Sequence, residues 1–284
     1  MSNAESPGTR TVPATVGVYG GGRMGAGIAH AFLMAGASVV VVEASDEAAG
    51  AAKDRVEVSL AKAIERGATR PEGSLHVVTE PTELAAVDLV VEAVPELPDL
   101  KAQVLGIIEK AAPDAPIGTN TSSLSIDRLA GALADPARLI GLHFFNPVPV
   151  SDLVEIVVGR RTAPGLVDQA QAWVRGLGKT AITVTDSPGF ASSRLGVMLA
   201  LEAMRMLEEG VASAEDIDAA MTLGYRHPVG PLKTTDIVGL DVRLDIADYL
   251  ASELGARFEP PAILREKVAA GQLGRKSGQG FYTW

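Results

Sequence analysis

Short, almost unbroken apolar runs alternate with longer stretches of helical period between Thr15 and Val158. Thr15–Tyr19, Ser38–Val42, His76–Thr79, Val87–Glu92, Ala115–Gly118, Leu139–Phe145 and Leu153–Val158 read as strands. Val87–Glu92 is nearly all apolar and Leu153–Val158 reads as buried on both faces, as strands of covered parallel sheets are. Between the runs, Met24–Met34, Asp46–Arg66, Leu100–Ala112 and Ile126–Leu133 carry helical patterns, the second with Val56, Leu60 and Ile64 on one face. From Ser187 onward only helices are expected. Leu195–Glu209 is apolar-striped and stops at Gly210, and Ser213 caps the next helix, which has Asp216 at the capping-box position and runs to Leu223. A Gly224–Pro231 turn then precedes helices over Asp236–Leu254 and Ala262–Ala270.

The first turn carries chemistry. Thr15–Tyr19 runs directly into Gly20-Gly21-Gly22-Arg23-Met24-Gly25, which fits G-x-G-x-x-G at positions 20, 22 and 25. A helix follows, and the second strand ends in Glu43 about 20 residues on, the context that turns a common glycine pattern into a dinucleotide fingerprint. Gly20 makes the tight turn, Gly22 lets backbone approach a pyrophosphate, and Gly25 lets helix and sheet lie close. The helix start, with Arg23 and Met24, supplies amide donors and the positive end of a dipole. Glu43 can accept from both ribose hydroxyls and would repel a 2′-phosphate, so NAD is the expected cofactor rather than NADP. The fold expected is therefore α/β: a Rossmann-type dinucleotide-binding domain over residues 1–186, with a disordered leader at 1–12, then an all-helical C-terminal domain over 187–284.

A second stretch, LIGLHFFNPVPVSDLVEIVV, is organised around a Pro147/Pro149 corner between two apolar runs. Each run contains one ionisable group, His143 and Glu155. A carboxylate is almost never buried in such a strand without a partner. Glu155 at a strand edge facing water, with His143 as a satisfied core histidine, is the plain alternative. As a pair bent together by the corner, they read as a base and its orienting acid: the imidazole takes a proton and the carboxylate holds its tautomer.

Composition narrows the partners. The chain has 284 residues, 47% hydrophobic, with formal net charge −10 and no cysteine. The charge argues against nucleic acid or an anionic membrane surface, both of which need basic patches. Without cysteine there is no disulfide, thiolate nucleophile or Cys-based metal site, and no metal site is expected. No apolar run approaches membrane-spanning length and the polar leader lacks a signal core, so a cytoplasmic protein is expected.

Further candidates lie on loops. Glu96 follows the strand ending at Glu92, where open α/β sheets place ligands, and Lys101 enters the next helix. Asn120, Thr121, Ser122 and Ser123 form a polar cluster after Ala115–Gly118, suited to a substrate oxygen beside the nicotinamide. Ser123 or Ser125 as a helix cap is the plainer explanation. Lys62 and Arg66 lie four apart, either a solvated face or a clamp for phosphates of an extended ligand. His227 reads as structural, and His30 and His76 as packing or surface residues.

GGGRMGAGIA, VVEAVPE with Lys101, NTSSL, GLHFFNPVP with LVE, DSPGF, HPVGP and GQGFYTW together resemble the 3-hydroxyacyl-CoA dehydrogenase family, in particular its short bacterial 3-hydroxybutyryl-CoA type, over nearly the whole chain from Val16. The resemblance implies an NAD-binding domain with an antiparallel addition to its sheet and a helical domain that forms a homodimer. It implies oxidation of an (S)-3-hydroxyacyl-CoA, with His143 as base, Glu155 as its orienting acid, Ser122 and Asn120 on the substrate oxygen, and Glu96 and Lys101 beside the nicotinamide.

Two departures from the family pattern matter. Ser193 stands where the family commonly has an active-site asparagine before Arg-Leu. The segment Glu65–Val78 looks shorter than the arm with which the family contacts the nucleotide end of CoA, which makes a 3-hydroxyacyl group on an acyl carrier protein an alternative substrate. A non-enzymatic NAD-binding homologue is the other alternative. A β-hydroxyacid dehydrogenase would share the glycine opening but use a catalytic lysine, and no lysine stands in a comparable loop.

Overall fold

The computed structural model describes residues 11–284, in two compact units that meet at Asp186/Ser187. The leader expected at 1–12 lies, for residues 1–10, outside the described residues; Val12 is buried, where a side chain at Gly176 would collide with it.

In the first unit, β1 (Thr15–Tyr19), α1 (Arg23–Met34), β2 (Ser38–Val42), α2 (Asp46–Glu65), β3 (Leu75–Val78), β4 (Leu89–Glu92), α3 (Pro98–Ala111), β5 (Ile117–Thr119), α4 (Ile126–Leu129), β6 (Leu139–Phe144) and β7 (Leu153–Val158) follow in order. Each starts or stops where local chemistry requires. Ser45 caps α2 by accepting from the Ala48 amide, Pro98 opens α3, and Ser125 caps α4. α4 ends after Leu129 and continues only as a short 3₁₀ turn, so the helix expected to Leu133 is shorter than its apolar pattern.

Two elements lie beyond the pattern read from the sequence, α5 (Pro164–Gly176) and β8 (Thr180–Thr185). α5 buries Leu166, Ala170, Trp173 and Val174, a helical stripe, whereas β8 has only half-buried and exposed residues, as the outer strand of a sheet.

The eight strands form one sheet in the order β3-β2-β1-β4-β5-β6-β7-β8. β1 to β6 are parallel, β7 pairs antiparallel to β6, and β8 runs parallel to β7. The order reverses between β1 and β4, which creates the crevice at the strand ends where such sheets bind ligands. Val16, Val18, Val39, Val41, Leu89 and Val91 meet Ile28 and Phe32 of α1 in the core, which extends to Ile140, Leu142, Val154 and Ile156.

The second unit is helical: α6 (Ser192–Glu208), α7 (Ala214–Ala219), α8 (Pro231–Val238), α9 (Leu240–Leu254) and α10 (Ala262–Ala269). Ser213 caps α7 and its hydroxyl also meets the Asp216 carboxylate at 2.8 Å. The single helix expected over 236–254 is two. Gly239, at φ +112°, breaks it, a conformation that a side chain would strain.

Two buried carboxylates tie the unit together. Asp236 accepts from the amides of Phe281 and Tyr282 and from Trp284 Nε1, while Asp218 accepts from the amides of Leu232 and Lys233 and from the Tyr282 hydroxyl. These bonds explain the GQGFYTW and HPVGP motifs as structural. Burial, and then Asp218, push the Tyr282 phenol well above its ordinary value.

Candidate active site

The glycine loop occupies the crevice between β1 and β4. The Gly20 amide donates to Val42 O at 2.9 Å, Ala93 N donates to Tyr19 O at 2.8 Å, and Gly20 holds φ +93°. A Cβ on Gly25 would stand 1.8 Å from Gly20 O, so the helix can lie this close to the turn only without a side chain there. Gly22 is the opposite case: a Cβ there would meet nothing within 4 Å. Open space over Gly22, and an α1 start that no side chain caps, are what a pyrophosphate requires. Glu43 reaches back to the loop, one oxygen accepting from the Gly21 amide at 2.6 Å and the other from Ala44 at 3.3 Å. The loop therefore fits the dinucleotide expected from the sequence, with Arg23 and Met24 in the first helical turn.

Next along the sheet, a network the sequence reading missed braces the site. Glu92, fully buried at the end of β4, receives Lys101 Nζ at 2.8 and 3.0 Å, the Thr119 hydroxyl at 2.6 Å and the Val94 amide at 2.7 Å. The same ammonium donates to the carbonyls of Val94 and Asn120. Burial pushes the Glu92 carboxyl up, against the pull of the Lys101 ammonium and of the hydrogen bonds it accepts. Lys101 is itself fully buried, 3.7 Å from Glu96, and joins the ends of β4 and β5 from α3. Glu96 in turn organises the polar loop. It accepts from the Thr121 hydroxyl at 2.5 Å and from the amides of Ser122 and Ser123 at 2.9 and 3.2 Å. The Ser122 hydroxyl makes no hydrogen bond among the described residues.

Asn120 links this loop to the third part of the site, its Oδ1 accepting from the Phe144 amide at 3.0 Å. One residue earlier on β6 stands His143, directly across the antiparallel ladder from Glu155. Cross-strand partners point to the same face, and His143 Nδ1 lies 2.7 Å from Glu155 Oε2. Glu155 is fully buried and His143 nearly so, with the Phe145 ring tilted against the imidazole at 4.5 Å. The corner between the strands contains a cis Asn146–Pro147 bond, and Lys179 closes it by donating to the carbonyls of Val148 and Ser151.

The remaining candidates lie on other elements. Lys62 and Arg66, at the end of α2, are exposed and form no ion pair among the described residues, and residues 66–74 alone join α2 to β3. Ser193 lies in the first turn of α6, half-buried, in the helical unit. His30 is buried in α1, its Nδ1 3.0 Å from the Ser59 hydroxyl, and burial, with Lys179 adding to it, lowers its pKa. His227 lies outside any helix, half-buried.

A Rossmann-type sheet, an uncapped glycine turn facing open space and a buried histidine–glutamate pair beside a hydroxyl-bearing loop define a dinucleotide-dependent dehydrogenase. The comparisons agree. Residues 15–187 match the NAD binding domain of 3-hydroxyacyl-CoA dehydrogenase, and residues 189–284 match the C-terminal domain of the same family. A 3-hydroxybutyryl-CoA dehydrogenase of Mycobacterium tuberculosis is 40% identical over 95% of this chain and 98% of its own. A 3-hydroxyadipyl-CoA dehydrogenase of Escherichia coli is 39% identical over 95% of this chain but 59% of its own. The crystal structure of an (S)-3-hydroxybutyryl-CoA dehydrogenase from Ralstonia eutropha superposes with a TM-score of 0.90 at 39% identity, covering 96% of this chain and 99% of that one. The chain belongs to the 3-hydroxyacyl-CoA dehydrogenase family. It is an NAD-dependent oxidoreductase acting on a 3-hydroxyacyl thioester. Among the described residues no helix is long and apolar enough to cross a membrane.

Proposed function

We propose that the chain interconverts a short-chain (S)-3-hydroxyacyl-CoA and its 3-ketoacyl thioester, with the His143–Glu155 pair as the acid–base centre. The observation that carries this reading is the 2.7 Å contact between Nδ1 and a carboxylate fully buried across the ladder. With Nδ1 held by Glu155, Nε2 is the nitrogen that takes the proton of the substrate's 3-hydroxyl. Bound NAD supplies the acceptor for the hydride leaving C3. A free alkoxide is too basic to form at neutral pH, so proton removal must accompany hydride loss, and a positioned base contributes typically about 10²–10⁴-fold. Glu155 lowers the cost of the imidazolium; in the reverse direction His143 returns the proton to the ketone oxygen. The Ser122 hydroxyl, with the Asn120 amide beside it, holds that oxygen. Gly20, Gly22, Arg23, Met24 and Gly25 offer backbone to the pyrophosphate, Glu43 the adenosine ribose contacts, and Glu96, braced by Lys101, the nicotinamide side. Lys62 and Arg66 serve the phosphates of CoA, and Ser193 the acyl chain.

The short connection between α2 and β3 favours a second reading, an acyl group delivered on a carrier protein with no adenine to hold. NADH oxidation with acetoacetyl-CoA and with the acetoacetyl carrier protein, compared as kcat/KM, separates the two. Absence of turnover with either refutes the proposal. Leu195, Leu223 and Tyr225, exposed at 71%, 83% and 76%, support a homodimer through the helical unit, which sedimentation checks.

A further inference from the structure

The peptide unit of Gly21, in the turn between β1 and α1, has a charged side chain at each end. Its amide donates to Glu43 Oε1 at 2.6 Å, and its carbonyl accepts from Arg55 Nη1 at 3.3 Å. α2 brings the arginine there. A Cβ on Gly21 would stand 2.4 Å from that of Ala52, so the helix lies directly on the loop, and Arg55 comes one turn further along the same face of α2.

The two charges are held differently. Both Glu43 oxygens accept from main-chain amides, those of Gly21 and Ala44. Arg55 is exposed, spends one N–H on the Gly21 carbonyl and forms no ion pair among the described residues. Glu57, the acid nearest to it along α2 on the C-terminal side, meets Lys53 instead. A guanidinium carries several N–H donors in a rigid fork, so most of this one is left over. In a dinucleotide fold an acid at the end of the second strand takes the adenosine ribose hydroxyls, and an arginine nearby accommodates a 2′-phosphate. This loop holds both.

We infer that Arg55 is a determinant of cofactor choice: it receives the 2′-phosphate of NADP, so that the chain admits NADP as a second cofactor and Glu43 alone sets the preference for NAD. The inference rests on the adenosine ribose contacts given to Glu43 above and extends that site to the phosphate. Glu43 repels the added charge, while Arg55 can meet two of its oxygens at once. The balance stays with NAD because the carboxylate is fixed by two amides, whereas an exposed cation must first give up side-chain freedom.

Binding of ADP-ribose and of its 2′-phosphate is measured by calorimetry, which needs no turnover. The intact protein is expected to bind both, the phosphate more weakly by roughly tenfold, the scale of a hydrogen bond to a charged group. Glu43→Gln should weaken ADP-ribose and tighten the 2′-phosphate by about tenfold. Adding Arg55→Met should remove that gain, and adding Arg55→Lys should keep part of it, because the charge stays and the fork is lost. Should Glu43→Gln fail to fold, Arg55→Met alone decides, with a further loss of about tenfold expected for the 2′-phosphate. A gain that survives the loss of Arg55 overturns the inference and leaves the ribose reading standing, whereas a Glu43→Gln protein with both affinities unaltered overturns both. NADPH should also replace NADH with acetoacetyl-CoA, and a protein that oxidises NADH but not NADPH overturns the inference alone.

Discussion

Glu92 and Glu155 are both fully buried carboxylates in otherwise apolar strands of one sheet, yet they face different partners. Glu92 faces an ammonium whose hydrogen bonds are all directed inward, to the carboxylate and to the carbonyls of Val94 and Asn120. Glu155 faces an imidazole, whose Nδ1 lies 2.7 Å from its Oε2. The difference lies in the partner. The lysine offers only donors and ties strand ends together, while an imidazole nitrogen can donate or accept. One pair is a strut, and the other is the acid–base centre we propose.

The contrast can be broken from either side. His143→Gln should have the largest effect: turnover falls by about 10²–10⁴-fold while NADH binding, followed by fluorescence, is kept. Near-normal turnover would sink the acid–base centre. Lys101→Met leaves Glu92 buried with no cation and should destabilise the protein by about 3–5 kcal/mol in urea unfolding. Replacing both members, Glu92→Leu with Lys101→Met, should recover most of that loss, because the strut is then removed whole. A single variant as stable as the parent would show that Glu92 does not depend on its lysine. Glu155→Gln keeps a hydrogen-bonding group but removes the charge, so a turnover loss of roughly 10²-fold with unchanged stability sharpens the contrast with Lys101. Equal losses of stability in the two variants would erase it.

The smallest effect concerns His30. Its folded-state pKa is lowered by burial, so the unfolded chain binds more protons, and stability falls as pH drops below the ordinary imidazole value of about 6.5. His30→Gln should flatten that pH dependence, changing the unfolding free energy by less than about 1 kcal/mol.

The parts of this site that could be read from the sequence are those where a residue type contradicts its surroundings. Glycines at 20, 22 and 25 between a strand and a helix have a single mechanical explanation, and an acid at 155 inside LVEIVV demands a partner. Glu92 escaped because a carboxylate at the end of an apolar run reads as the strand's boundary. Its dependence on Lys101 arises only when α3 folds over β4. The break at Gly239 was hidden because apolar spacing continues across it. β8 was hidden because a half-exposed strand of threonines resembles a loop. In the helical unit, the burial of Arg243 on α9 left no trace in the sequence, since an arginine in a helix ordinarily reaches water.

Because the acid and its imidazole are opposed in the β6–β7 ladder, their spacing is set by main-chain pairing and not by the loop from Phe145 to Asp152. Insertions and deletions in that loop are therefore permissible wherever the ladder keeps its phase. A slip of a single residue along either strand would send one of the two side chains through to the opposite face of the sheet. Drift in loop length is thus buffered at this centre, and frame errors in the strands are not.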